Sequence, residues 1–257
     1  APIDEAVAVI KNERIELVFA PHVETSSGMI LPDSYLKALA DAVHEVGGMM
    51  VLDCVASGAM WVDMQALGID VLVTAPQKGW SGSPCCAMVA LGDLAKERIW
   101  GTTSTSFACD LKKWLEIMET YEQGKHAYHA TPPTDALIVL RDIMKEMQAF
   151  GFDKARTAQA ELGKTVRSLM VKNGFPSVAA PGFEAPGVVV SYTTDPAIQS
   201  GKKFMDLGVQ IAAGVPIKCD EPEEFRTFRI GLFGLDKLAN VDRTVRTFAD
   251  ALSKVQH

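Results

Sequence analysis

Met49-Met50-Val51-Leu52-Asp53 is an apolar run that ends on a carboxylate, and its surroundings decide the fold. Ahead of it, Tyr35, Leu36, Leu39, Val43 and Val46 recur at helical spacing, opened by Pro32-Asp33-Ser34 and closed by Gly47-Gly48. Further upstream, Ile15 to Phe19 reads as a short buried strand that stops at Ala20-Pro21. Downstream, a short helix around Met64 to Leu67 leads into Val71-Leu72-Val73, another strand, which stops at Thr74-Ala75-Pro76. Strand, helix, strand in this order implies parallel pairing through right-handed crossovers, an α/β arrangement.

Cys86 to Leu91 reads as a further strand, and Leu111 to Glu119 as a helix. Thr131-Pro132-Pro133-Thr134 opens a longer helix with Leu137, Leu140, Ile143, Met144 and Met147 on one face. A second long helix runs from about Lys154 to Val171 and stops at Asn173-Gly174. Beyond it the pattern changes: strands at Gly187 to Tyr192 and Phe228 to Leu232, and helices at Lys202 to Leu207 and Val241 to Val255. The expected division is a parallel-sheet domain over residues 1–152 and a smaller C-terminal α+β domain over residues 153–257, which includes the linking helix.

The 257 residues are 48% hydrophobic and 22% charged, ordinary values for a globular protein with a core of its own. No apolar run reaches the length of a membrane span. A formal net charge of -7 argues against nucleic acid or an anionic membrane as the main partner. Cys54, Cys85, Cys86, Cys109 and Cys219 are odd in number and sit in apolar surroundings, which speaks against a disulfide framework and for a reducing, cytoplasmic compartment. No Cys/His spacing suggests a metal site.

In an open α/β sheet, ligands gather at the carboxyl ends of the parallel strands. Three reactive-looking stretches fall there: Pro21 to Gly28, Asp53 to Ser57, and Pro76 to Gly79. A carboxylate, a lysine and several hydroxyls on one rim suit pyridoxal phosphate, which needs a lysine for an imine and a carboxylate beside its ring nitrogen. Taken singly, Asp53 reads equally as a helix cap and Lys78 as a solvated loop residue. His22 reads as a structural histidine, Glu24 as structural at the sheet rim, and Trp80 as packing.

Five stretches together resemble the class V aminotransferases, which are fold-type I pyridoxal-phosphate enzymes, and within them the alanine–glyoxylate and serine–glyoxylate branch. They are His22 to Gly28, Asp53-Cys54-Val55-Ala56-Ser57, Gly68-Ile69-Asp70-Val71, Gln77-Lys78, and Phe228-Arg229-Ile230-Gly231-Leu232-Phe233-Gly234. The resemblance covers nearly the whole chain in order. It implies that Lys78 carries the cofactor as a Schiff base and moves the substrate proton, and that Asp53 pairs with the pyridine nitrogen. It further implies that Val55 packs on the ring, Thr25 bonds its phenolic oxygen, Gln77 helps hold the phosphate, and Arg229 forks onto the substrate carboxylate. Tyr128-His129-Ala130-Thr131 is similar to the family's stretch in which Tyr and Thr reach the phosphate of a neighbouring subunit, implying a homodimer with shared sites.

The implied activity is transamination between alanine or serine and glyoxylate or pyruvate. Cysteine desulfuration or related lyase chemistry, with Cys219 as nucleophile, is the alternative on the same cofactor. Family members also carry an N-terminal section ahead of the Ile15 strand, with a phosphate-cradling turn and a ring-stacking aromatic. The expectation is therefore that residues 1–257 are part of a longer protein, or else an inactive truncated fragment.

Overall fold

The structure, a computed structural model, describes residues 1–255. Helix α1 (Ile3–Asn12) buries Ile10 and packs Ile3, Ala6 and Val7 beside it, an i, i+3, i+4, i+7 stripe. Strand β1 (Leu17–Pro21) starts two residues later than the sequence reading places it. The Ile15 amide still closes back onto the Ile10 carbonyl (3.0 Å), so the chain is leaving the α1 turn at that point. A small hairpin follows, β2 (Val23–Glu24) and β3 (Met29–Ile30), then helix α2 (Asp33–Glu45) and strand β4 (Met49–Asp53). Helix α3 (Met64–Leu67) is capped by the Asp63 side chain, and strands β5 (Val71–Thr74) and β6 (Met88–Leu91) complete the first sheet.

That sheet runs β1-β4-β5-β6. The first three strands are parallel, as the strand–helix–strand pattern predicts. β6 returns antiparallel to β5, because the intervening loop contains no crossover helix to bring it round. Alternation along β4 gives the sheet two different faces. Met50, Leu52 and Cys54 point into the core formed with Leu36, Leu39, Ala40 and Val43 of α2. Met50 and Leu52 are completely buried, and each contributes roughly 1.5–3 kcal/mol of apolar burial. Val51 and Val71 lie on the other face against Ala95 of helix α4 (Asp93–Trp100). Phe19, paired with Val51, is 60% exposed there.

Helices α5 (Leu111–Glu122), α6 (Thr134–Phe150) and α7 (Phe152–Lys172) follow. Strand β7 (Val188–Tyr192), helices α8 (Pro196–Gln199) and α9 (Lys202–Met205), and strands β8 (Ala212–Ala213) and β9 (Thr227–Gly231) come next, then α10 (Leu235–Leu238) and α11 (Val241–Val255). The second main sheet, β7-β9-β8, is antiparallel. Its Val189, Phe228 and Ile230 pack against Leu162, Val166 and Met170 of α7 and Phe248 and Leu252 of α11. Among the described residues no helix is long and apolar enough to cross a membrane.

Candidate active site

Asp53 stands at the carboxyl end of β4, level with Pro21 of β1 and Val73 of β5. The ladder continues past it: the His22 amide donates to the Asp53 carbonyl at 2.9 Å, and the Cys54 amide to the Val73 carbonyl at 2.7 Å. The side chain is half-buried and its Oδ1 accepts the Val55 amide at 2.9 Å. That bond closes a turn and caps no helix, since the next helix is capped by Asp63. Asp53 is thus held by its own loop, and among the described residues its second carboxylate oxygen takes no hydrogen bond.

Lys78 lies on the turn after β5, the adjacent parallel strand. The Ser81 amide donates to the Lys78 carbonyl at 3.0 Å, and the Gly82 amide to the Pro76 carbonyl at 2.9 Å. These bonds fix the turn while leaving the side chains of Gln77 and Lys78 exposed. Lys78 is exposed, as its reading as a solvated loop residue also has it. Gly79 abuts the loop after Asp53, where a Cβ would come within 2.8 Å of the Gly58 carbonyl oxygen. Backbone on backbone at this distance leaves room for no residue but glycine. Between the two loops is a cavity of about 170 Å³, lined by Val55, Ser57, Thr74, Gly79, Trp61 and Trp80 among others.

The third loop, between β2 and β3, is built around Glu24. Its carboxylate accepts the Ser26 amide (2.8 Å), the Ser27 amide (2.7 Å) and the Ser27 hydroxyl (2.6 Å). Burial works against ionisation, but these hydrogen bonds outweigh it and hold the Glu24 carboxyl below its ordinary range. Glu24 therefore fixes the turn that carries half-buried Thr25, which makes the expected structural role concrete. Gly28 closes the loop at φ 71°, with Val190 of β7 only 2.8 Å from where its Cβ would be.

A protein-family model described as Aminotransferase class-V matches residues 2–216. The chain belongs to this family. Among curated relatives, the 2-aminoethylphosphonate–pyruvate transaminase of Burkholderia ambifaria is 28% identical, over 99% of this chain and 67% of its own length. The alanine–glyoxylate aminotransferase 1 of Saccharomyces cerevisiae is 28% identical, over 92% of this chain and 63% of its own. The crystal structure of a Nostoc sp. alanine–glyoxylate aminotransferase superposes with a TM-score of 0.83 at 17% identity, covering 100% of this chain and 66% of that one. The chain thus spans about two thirds of the length of these relatives. The family, the fold type and the cofactor class implied by the five sequence stretches are those that the comparisons return: class V aminotransferases use pyridoxal phosphate.

In this class V aminotransferase, Arg229 is on β9, opposite Val190 of β7 and Ala212 of β8. Its Nε donates to the Ala213 carbonyl at 2.8 Å, and the side chain is half-buried. The strand runs on into Phe233 and Gly234, which reach the other two loops: Phe233 lies against Gly58, and Gly234 against Ser81 of the lysine turn. Tyr128 and Thr131 sit apart on an exposed loop, where Tyr128 Oη and Thr131 Oγ1 are 3.2 Å from each other. A larger cleft of about 720 Å³, lined by Tyr192, Phe225, Arg226 and Lys203, belongs to the C-terminal sheet and holds none of the expected site residues.

The sequence reading gives His22 a structural role but names no partners for it, and the structure supplies them. His22 Nδ1 is 2.8 Å from Ser57 Oγ and 3.9 Å from Cys54 Sγ. Burial pushes the His22 imidazole down to about 4, opposed by Asp33 and aided by Arg156, so the ring is neutral. Burial likewise pushes the Cys54 thiol up to about 11, against a hydrogen bond with Ser57 and with Asp53 adding to the rise. Gln159, completely buried on α7, was missed; its Nε2 donates to the Pro186 (3.1 Å) and Leu232 (3.3 Å) carbonyls. Trp80 does pack, against Trp61 at 5.3 Å and Phe152 at 6.5 Å between ring centroids.

Proposed function

We propose that this chain carries the central residues of a pyridoxal-phosphate-dependent transamination between a small amino acid, such as alanine or serine, and a small 2-oxo acid, such as glyoxylate or pyruvate. One observation carries the reading: a carboxylate and an amine occupy the carboxyl ends of adjacent parallel strands, on loops that touch through Gly58 and Gly79. That donor set fits a pyridine ring bearing an aldehyde, with Asp53 for the ring nitrogen and Lys78 for the aldehyde carbon. Bound pyridoxal phosphate supplies an electron sink for the substrate α-carbon.

Asp53 holds the proton on the ring nitrogen with the carboxylate oxygen that Val55 leaves free. Lys78 would hold the cofactor covalently, and its Nζ would move a proton to and from the substrate α-carbon. Val55 packs on one ring face, Thr25 donates its hydroxyl to the phenolic oxygen, and Gln77 helps hold the phosphate. Arg229 receives the substrate carboxylate. Tyr128 and Thr131 reach the phosphate in a second copy of the chain, giving a homodimer with shared sites. The exposure of Tyr128 (68%), Phe107, Met118 and Tyr121 along one segment supports an interface there. The distribution of the two sheets supports the division at residues 152 and 153, and the free cysteines support a cytoplasmic setting.

The decisive experiment is borohydride reduction after incubation with pyridoxal phosphate, followed by peptide mass mapping. Reduced adduct at Lys78 is expected; adduct spread over surface lysines, or none, would sink the assignment. A donor panel then sets the substrate. The curated relatives named for 2-aminoethylphosphonate favour including that aminophosphonate as a second donor class. Alanine release from cysteine, dependent on exposed Cys219, would instead support the lyase reading.

A further inference from the structure

β5 and β6 form an antiparallel pair in the register Val71 to Leu91 through Thr74 to Met88. Lys78 therefore rides on the loop of a hairpin. Its outward limb leaves β5 at Thr74, and its return limb enters β6 through Cys85-Cys86-Ala87. The pairing ends at Thr74 and Met88, the Gly82 amide bonds the Pro76 carbonyl at 2.9 Å, and Cys85 and Cys86 lie on the return limb between Gly82 and β6. The Sγ atoms of Cys85 and Cys86 are 3.9 Å apart, and both thiols are free and half-buried.

We propose that Cys85 and Cys86 are a modification site: a vicinal dithiol that a low-molecular-weight disulfide converts into a disulfide between the two neighbours, reshaping the return limb of the hairpin that carries Lys78. The thiolate of one cysteine attacks the small disulfide, forming a mixed disulfide and releasing one small thiol. The second cysteine, losing its proton to solvent, then displaces the other small thiol and closes the ring. The protein loses two protons and two electrons, and the small disulfide takes them up to become two thiols.

The geometry makes the product reversible and conformationally active. Closure must bring the sulfurs from 3.9 Å to about 2.05 Å. Neighbouring Cα atoms are only about 3.8 Å apart, below the usual disulfide span of roughly 4.4–6.8 Å. The backbone at 85–86 therefore rotates to accommodate the ring, and the strained bond is easily reduced. Burial, with Cys85 beside it, pushes the Cys86 thiol up, so closure accelerates as pH rises. The other thiols differ in kind: Cys54 is buried, and exposed Cys109 and Cys219 offer single sites for mixed disulfides.

The test equilibrates the full chain in a glutathione redox buffer, quenches with acid, and maps peptides by mass. A peptide holding both cysteines that is lighter by two hydrogens, and restored by reductant, is the expected product. Amide exchange across residues 76–88 should change by at least about threefold on closure. Cys85→Ser and Cys86→Ser should each stop at a mixed disulfide, and the double alanine variant should show neither product nor exchange change. Mixed disulfides without closure in the parent, or closure with unchanged exchange, overturn the proposal. Its bearing on catalysis rests on the Lys78 reading above, but none of these readouts requires cofactor, so the two can fail separately.

Discussion

The Cβ that Gly79 lacks would lie 2.8 Å from the carbonyl oxygen of Gly58 and 3.0 Å from its Cα. The turn bearing Lys78 is thereby pressed onto the loop that follows Asp53, backbone against backbone. Gly79→Ala must drive these loops apart, at a cost of about 1–3 kcal/mol. Urea titration should show a lower midpoint with an unchanged m value. A stability within about 0.5 kcal/mol of the parent would mean the contact does not hold the loops together.

Replacing Asp53 by Asn keeps the shape and the turn-closing bond from Val55, yet removes the charge. On the proposed assignment, this removes the group that favours a protonated ring nitrogen. The expected result is a loss of kcat of at least about a hundredfold, with the Lys78 adduct still formed on borohydride reduction. Near-parental turnover would remove Asp53 from the chemistry and leave it a turn residue.

Much of this arrangement was legible because its signals are local. The Met49–Asp53 strand, the helix before it and the Val71–Thr74 strand follow from residue spacing; the strand-end rule then points to three loops, and only the family resemblance picks Asp53 and Lys78 from them. The contacts that lock the loops were not legible, since they join residues with no local signature. Gly58 and Gly79 are 21 positions apart in sequence and carry no side chain to read. His22 and Ser57 meet only because β1 and β4 are neighbours. The antiparallel return of β6 was likewise set by the absence of a helix in the connecting loop, which strand periodicity alone does not reveal.

The neutral His22 makes stability depend on acid. Its pKa falls from 6.5 in the unfolded chain to about 4 in the fold, so the unfolded state binds the proton more readily. The stabilisation is complete above pH 6.5 and is lost as pH falls through the window from 6.5 to about 4, a loss of about 3 kcal/mol. Glu24, held below its ordinary range, adds loss of the same sign at lower pH. His22→Gln should flatten the stability curve between pH 6.5 and 4 relative to the parent. Curves that remain parallel through this window would show that the imidazole titrates normally.

Arg229 gives the sharpest test of substrate recognition. Its Nε is spent on the Ala213 carbonyl, which orients the guanidinium and leaves the two terminal nitrogens to face a carboxylate as a pair. Lys at this position keeps the charge but can satisfy neither the anchor nor the fork together. Losing one charge-assisted hydrogen bond costs about 1.5–3 kcal/mol, so Arg229→Lys should raise KM for the amino acid roughly 10- to 150-fold. The kcat should change far less, because the contact is made to a group that does not react. Steady-state kinetics with alanine, serine and 2-aminoethylphosphonate would show whether the penalty follows the carboxylate. An unchanged KM for alanine and serine would place their carboxylates elsewhere in the site, and a penalty confined to the phosphonate would reassign Arg229 to that donor.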